Sequence, residues 1–375
     1  MKKKFTMIMA LALACASVLT GCGKSDFDFE SNDLSAYITL PTDTAERNYA
    51  DGLTLKGEPT EEDINDKIAE ALKKHAEEVE LDESATVEDG DDLVIDYVGK
   101  LNGEAFTGGT ATDSKHTVDI ENSEFIDGFD RGMLGMKAGE TKDLTLTFPD
   151  PYTNNPDLAG KEVVFTVTVD SIKRTKNPEL TDELVKENPE DFENMATAAE
   201  YKEHVKEHLE EEIKAENDKK IINAAWKYIL ANSKYNAYPE GVLEQYEKTY
   251  LDYYEHTVAA KDNLHLKDYV KKQGYTSVEA FKEAVVKPEA ETALKEKLAL
   301  YATAKLAGVT VTQDDVKAHA EDYYKNNIEP SLAFYSAYFG ISNFNDYYKQ
   351  IKDDEGTKQG LLFDKTFEKL CGIEK

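Results

Sequence analysis

The sequence predicts an α+β protein: a small antiparallel β-sheet domain with one short helix, followed by an all-helical region. Three observations carry that expectation. Apolar residues recur with a period of two between Asp91 and Lys173, and with a helical period from Asn177-Pro178 to the end. Thr60 with Asp63, and Thr312 with Asp315, have the spacing of capping boxes.

The elements follow in order. Lys2, Lys3 and Lys4 precede an uncharged run from Phe5 to Leu19, about the length of a signal-peptide core and too short to span a bilayer. The run closes on Leu19-Thr20-Gly21-Cys22 and then turns polar, which resembles the lipobox of bacterial lipoproteins. That resemblance implies removal of residues 1–21, acylation of Cys22, and a chain held on the extracytoplasmic face of the cell membrane. Residues 22–58 are polar without clear period and read as a tether with one extended piece, Tyr37 to Leu40. Residues 59–84 read as a linker helix with an apolar stripe of Ile64, Ile68, Leu72 and Val79.

The sheet domain is expected over 85–175. Ile95 and Tyr97 flank Asp96; Leu144, Leu146 and Phe148 alternate with threonines; Val163, Phe165, Val167 and Val169 alternate with Val164, Thr166 and Thr168. Such alternation marks strands with one face on a core. Asn102-Gly103 marks a tight turn. Over 176–375, Tyr201, Val205, Leu209 and Ile213 repeat every four residues. Pro239 suits a first helical turn, and Pro288 should kink or split the long helix running toward Leu306. Of 21 tyrosines most lie in this half, so aromatic surface or aromatic packing concentrates there.

With 44 basic against 75 acidic residues the net charge is −31, which argues against nucleic acid as a partner. Once Cys15 leaves with the signal segment and Cys22 is acylated, Cys371 has no partner for a disulfide. Its apolar neighbours (Leu361, Leu362, Phe363, Phe367, Leu370) mark it as a core residue. His204 and His208 lie four apart on a helix between Glu203 and Glu207, without a third ligand, and read as a solvated face. Glu88 to Asp92 lacks the alternation of a calcium loop and reads as a strand-entry turn. No cofactor or metal is expected.

Four ordered blocks resemble the FKBP-type prolyl isomerase domain of trigger factors. They are Val87–Gly109, Phe125–Glu140, Phe148–Tyr152 and Leu158–Phe165. On periodicity alone Phe106, Phe129 and Phe165 read as core aromatics of a small sheet; the order and spacing of the blocks turn that reading. The resemblance implies a pocket of Tyr97, Phe106, Phe125, Ile126, Phe129 and Phe165, with Phe129 as its floor, and a Tyr152 hydroxyl facing a substrate carbonyl. Thr107 stands where many relatives carry Asp, and His116 falls near an aromatic wall position.

Pro178–Leu184, the helix 197–232, Pro239–Leu243 and Leu266–Tyr275 resemble the helical (SurA-like) C-terminal chaperone domain of trigger factors. That family cradles unfolded chains, and Tyr246, Tyr250, Tyr253 and Tyr254 suit either such a cradle or helix packing. Residues 23–58 are too short for the family's ribosome-binding domain. The expected function is prolyl isomerisation and chaperoning of unfolded or nascent exported polypeptides with X-Pro bonds, with no ribosome partner. The alternative is a holdase or partner-binding lipoprotein whose isomerase pocket is vestigial.

Overall fold

The computed structural model describes residues 27–120 and 125–373, with the backbone alone for 113–115. The expected signal segment and Cys22 lie outside the described residues. The chain divides into two compact units: one of residues 58–210, the other of 27–57 together with 211–373.

Residues 27–57 are not a free tether. They carry the two-residue strand β1 (Ile38–Thr39) and bury Phe29, Leu34, Ile38 and Tyr49 in a helical core, each at most 5 % exposed. Reading this stretch as polar and aperiodic overlooks that four large apolar side chains suffice to dock a strap without any period. Tyr49 donates its hydroxyl to the carbonyl of Thr44 at 2.8 Å, and Asn217 brackets Lys56 by bonding both its N–H and its carbonyl.

The 58–210 unit opens with α1 (Glu61–Leu72), capped by Thr60 and Asp63 bonding each other's backbone N–H as the spacing predicts. Ile64, Ile68 and Leu72 are buried, but the helix ends there. Val79 lies instead in β2 (Glu77–Glu80), 39 % exposed, because this strand pairs along the end of a longer one. The sheet continues with β3 (Asp91–Leu101) and β4 (Glu104–Asp119), then α2 (Phe129–Met133), β5 (Thr141–Thr147) and β6 (Glu162–Lys176). Every pairing is antiparallel: β6 lies between β3 on one side and β5 followed by β2 on the other, and β4 flanks β3. Asn102 and Gly103 both take positive φ (51° and 88°), the two-residue turn that matches the twist of paired strands. Leu93, Ile95, Val167, Val169 and Ile172 face α2 with 0 % exposure. A second small core joins α1 to α3 (Asp182–Glu187) and the first turns of α4 (Ala198–Asn232) through Val185, Phe192, Tyr201 and Val205.

The other unit takes the rest of α4, then β7 (Lys234–Tyr235), α5 (Val242–Tyr253), α6 (Leu266–Lys272) and α7 (Val278–Phe281). Next come α8 (Lys287–Ala307), α9 (Gln313–Tyr323), α10 (Leu332–Phe339), α11 (Phe344–Ile351) and α12 (Glu355–Cys371). β7 pairs with β1, so the strap is stitched into this unit by backbone bonds. Pro288 stands in the first turn of α8 directly after a π-helical turn, Lys282–Val286; the chain stays helical through it, so the proline coincides with a change of helical winding and not with a break. Pro239 precedes its helix: Gly241, in left-handed conformation, caps α5 instead. Thr312 and Asp315 form the second capping box. Among the described residues no helix is long and apolar enough to cross a membrane.

Candidate functional site

The seven residues expected to form a pocket come from five places in the chain and all pack on one hydrophobic cluster. Tyr97 comes from β3, Phe106 from β4 and Phe165 from β6. Phe129 opens α2; Gly128 before it has φ 88°, a conformation that favours glycine and turns the chain so that Phe129 enters the core at 0 % exposure. Phe125 and Ile126 precede that turn, and Tyr152 lies in the loop after β5. Tyr97, Phe106, Phe125, Ile126 and Tyr152 are half-buried, which leaves them available to a ligand.

Tyr97 is the hub. Its ring meets Phe125, Phe129 and Phe165 edge-on at 5.4, 5.7 and 6.0 Å, in the geometry that aromatic quadrupoles favour. Phe129 meets Phe165 edge-on at 5.2 Å, and Phe125 lies flat over Phe129 at 4.1 Å. The expected floor is therefore covered by Phe125, a stacking that no spacing rule reveals. His116 stands against both Tyr97 and Phe125, at 5.8 and 5.4 Å. Thr107 is exposed. Phe148, not among the expected site residues, bridges the group: it is 5.9 Å from Phe106 and 4.9 Å from Tyr152. Its place at the end of the alternating strand was the signal for it.

Two glycines make this packing possible. A methyl at Gly99 would lie 2.6 Å from Phe165 and 2.8 Å from Phe106; one at Gly109 would lie 2.4 Å from Phe106. Burial pushes the Tyr97 hydroxyl above the usual phenol range, so it stays a neutral donor. The result is an apolar cluster of rings that carries the hydroxyls of Tyr97 and Tyr152. Among the described residues no group of His, Cys, Asp and Glu is placed to hold a metal, His204 and His208 included.

The acidic turn Glu88–Asp92 works as a structural clasp. Arg174 of β6 grips the buried Asp91 carboxylate at 2.6 and 2.8 Å and reaches Glu88 at 2.8 Å. In the helical unit, Tyr246 and Tyr250 are each 3 % exposed and pack in the core, so they do not face a client. The exposed aromatic surface is on α10 instead, where Phe334, Tyr338 and Phe339 are 52, 73 and 56 % exposed. Its signal was the uncharged run Leu332–Phe339. Cys371 is half-buried against the core, and burial pushes its thiol up to about 12.

Comparison with known proteins agrees with this geometry. Residues 83–170 match the FKBP-type peptidyl-prolyl cis-trans isomerase family, and residues 197–336 match the bacterial trigger factor C-terminus. The trigger factor of Macrococcus caseolyticus is 33 % identical over 85 % of this chain and 69 % of its own length. That of Shouchella clausii is 31 % identical over 76 % of this chain, and that of Bacillus cytotoxicus 34 % over 70 %. The chain spans 64 % and 59 % of the length of these last two relatives. A solved trigger factor chaperone chain aligns over 87 % of this chain and 71 % of its own, with a TM-score of 0.42 and 16 % identity. The chain belongs to the trigger factor family, with an FKBP-type isomerase domain inside it.

Proposed function

We propose that this chain is a peptidyl-prolyl isomerase and folding chaperone for exported polypeptides, anchored by lipid on Cys22 at the extracytoplasmic face of the membrane and working without the ribosome. The convergence of Tyr97, Phe106, Phe125, Ile126, Phe129, Tyr152 and Phe165 on one sheet face is the observation that carries the isomerase reading.

The chemistry asked of such a cup is modest. Rotation about an X–Pro bond is slow because amide resonance must be given up, at a barrier of about 18–20 kcal/mol. No bond breaks and no proton moves. A cup that holds the twisted amide more tightly than either planar form lowers the barrier, and each 1.4 kcal/mol or so of that difference is tenfold in rate. In this reading the proline ring enters between Phe106, Phe165 and Phe129, Phe125 swings off Phe129 to admit it, and Tyr152 donates to the substrate carbonyl.

A protease-coupled assay on a short Xaa-Pro peptide tests the assignment. The wild type should accelerate isomerisation, and Phe106→Ala with Tyr152→Phe should lower kcat/KM by tenfold or more; no acceleration, or an unchanged rate, overturns it. Cell fractionation tests the anchor: Cys22→Ser should move the protein from the membrane to the soluble fraction.

A second reading, a holdase with a vestigial pocket, draws on the same Phe125–Phe129 stack and on the exposed aromatics of α10. It predicts suppression of client aggregation with no isomerase rate at all.

A further inference from the structure

We propose that His116 is a latch on the isomerase cup: it holds the Phe125 ring over Phe129, so that the cup rests shut and its readiness to admit a proline is set by a residue outside it. The inference rests on the isomerase reading above and goes beyond it, because it assigns the resting state of the cup and the residue that maintains it.

The floor assigned to the proline ring is out of reach in this structure. Phe129 is 0 % exposed and Phe165 is 5 % exposed. What covers Phe129 is Phe125, with ring centroids 4.1 Å apart and planes within 8° of parallel. Phe125 belongs to neither the sheet nor α2. It lies in the bend before Gly128, whose φ of 88° turns the chain into that helix, so no strand pairing fixes its ring.

Three rings place it. Phe129 lies beneath, while Tyr97 and His116 stand edge-on to it at 5.4 Å each, both with interplanar angles of 88°. Tyr97 and His116 also meet each other edge-on at 5.8 Å, so each ring of this triangle supports the other two in the arrangement aromatic rings prefer. Tyr97 and Phe129 are part of the cup, and changing either alters the surface a proline would meet. His116 stands apart from it: exposed on β4, opposite Ile95 in register, with Tyr97 and Phe125 as its ring contacts among the described residues. Of the three supports, His116 is the one that can be removed with floor and hub intact.

The energetics give the latch a distinctive sign. One edge-on ring pair shifts an equilibrium by about two- to tenfold. A substrate that binds only the open cup has its affinity reduced by the fraction of molecules that are open. Loss of the latch raises that fraction and so lowers KM, while kcat stays, because every occupied cup is already open. A residue that instead lined the bound substrate would weaken binding when truncated, and KM would rise.

Exchange NMR on a short Xaa-Pro peptide with the full chain gives KM and kcat separately. His116→Ala, and His116→Val as a strand-favouring variant without a ring, should each lower KM about two- to tenfold with kcat within about twofold of the wild type. His116→Phe keeps a ring at the position and should keep the wild-type KM. In a Phe125→Ala background, His116→Ala should no longer change KM, because the latch has no lid to hold. A para-fluorophenylalanine in place of Phe125 reads the lid directly. Its resonance, displaced by the Phe129 ring, should move toward the unstacked position in His116→Ala, and further when the wild type is saturated with peptide. A KM that rises or stays the same in both ringless variants, a His116 effect that survives without Phe125, or a fluorine resonance that ignores the peptide overturns the proposal. A wild type that does not accelerate isomerisation sinks the isomerase reading instead. The fluorine resonance then decides the latch alone: displacement in His116→Ala but not in His116→Phe supports it, and equal resonances in the two overturn it.

Discussion

Asp91 begins β3 with its side chain fully enclosed, and the unit depends on how that charge is met. Burial raises the carboxyl, but two bonds from the Arg174 guanidinium and one from the Glu88 N–H outweigh it and hold it below the usual carboxylate range. A carboxyl lowered by folding contributes stability that is present above the unfolded value of about 3.9 and is lost as pH falls through the folded value. Asp91→Asn should therefore cost about 3 kcal/mol at pH 7, because it leaves Arg174 without its partner. The variant should also lose less stability than the wild type on acidification below about pH 4. Urea unfolding across pH measures both, and equal acid slopes would show that the pair is not linked to folding. Sequence reasoning placed Glu88–Asp92 correctly in a turn leading into a strand, yet it had no means to find Arg174, whose partner is 83 residues away. The same holds in the cup. Which residues line it was legible from the ordered blocks; the stacking of Phe125 on Phe129 and the bridging by Phe148 depend on side-chain angles that no spacing encodes.

At the scale of elements, strands and capped helices were the most legible features. A period of two and a Thr-x-x-Asp box report physical demands made within a few residues of chain. The strap over 27–57 was not legible, because its order comes from partners far away in sequence. β1 pairs with β7, Tyr228 donates to Asp43 at 2.7 Å, and the Arg47 guanidinium lies over the Tyr228 ring at 4.0 Å. Leu34, 3 % exposed, separates the two views of this segment. Docked as described, Leu34→Ala removes a packed side chain and should cost about 2–5 kcal/mol. A free tether would lose nothing. The unfolding midpoint is readable from Trp226, which lies in the same core against Phe363 and Phe367.

At the scale of the whole molecule, the isomerase unit interrupts the helical one in sequence: residues 27–57 and 211–373 complete a single body, and 58–210 form another. A boundary drawn at 85–175 from the strand pattern takes in β3, β4, β5 and nearly all of β6, but leaves out β2 and what closes the unit. Its second core needs α1 from before the sheet and α3 with the first turns of α4 from after it. Lys202 of α4 pairs with Glu61 of α1 at 2.7 Å, and Asn177 bonds the carbonyl of Ala69, so the two flanks are held together independently of the strap. A unit with its own sheet core and its own helical clasp should fold alone, and rotation of an X–Pro bond needs nothing beyond the cup. Residues 58–210 expressed alone should therefore melt cooperatively and keep kcat/KM on a short Xaa-Pro peptide within about threefold of the full chain, a change of under about 1 kcal/mol. On a slow-folding, proline-limited protein substrate the same piece should fall at least tenfold behind if the helical unit binds unfolded chains as proposed, because that second point of attachment would be gone. If the isolated unit matches the full chain on both substrates, the helical unit takes no part in catalysis on folding chains. If it is inactive on the peptide as well, the cup depends on the helical unit for its shape.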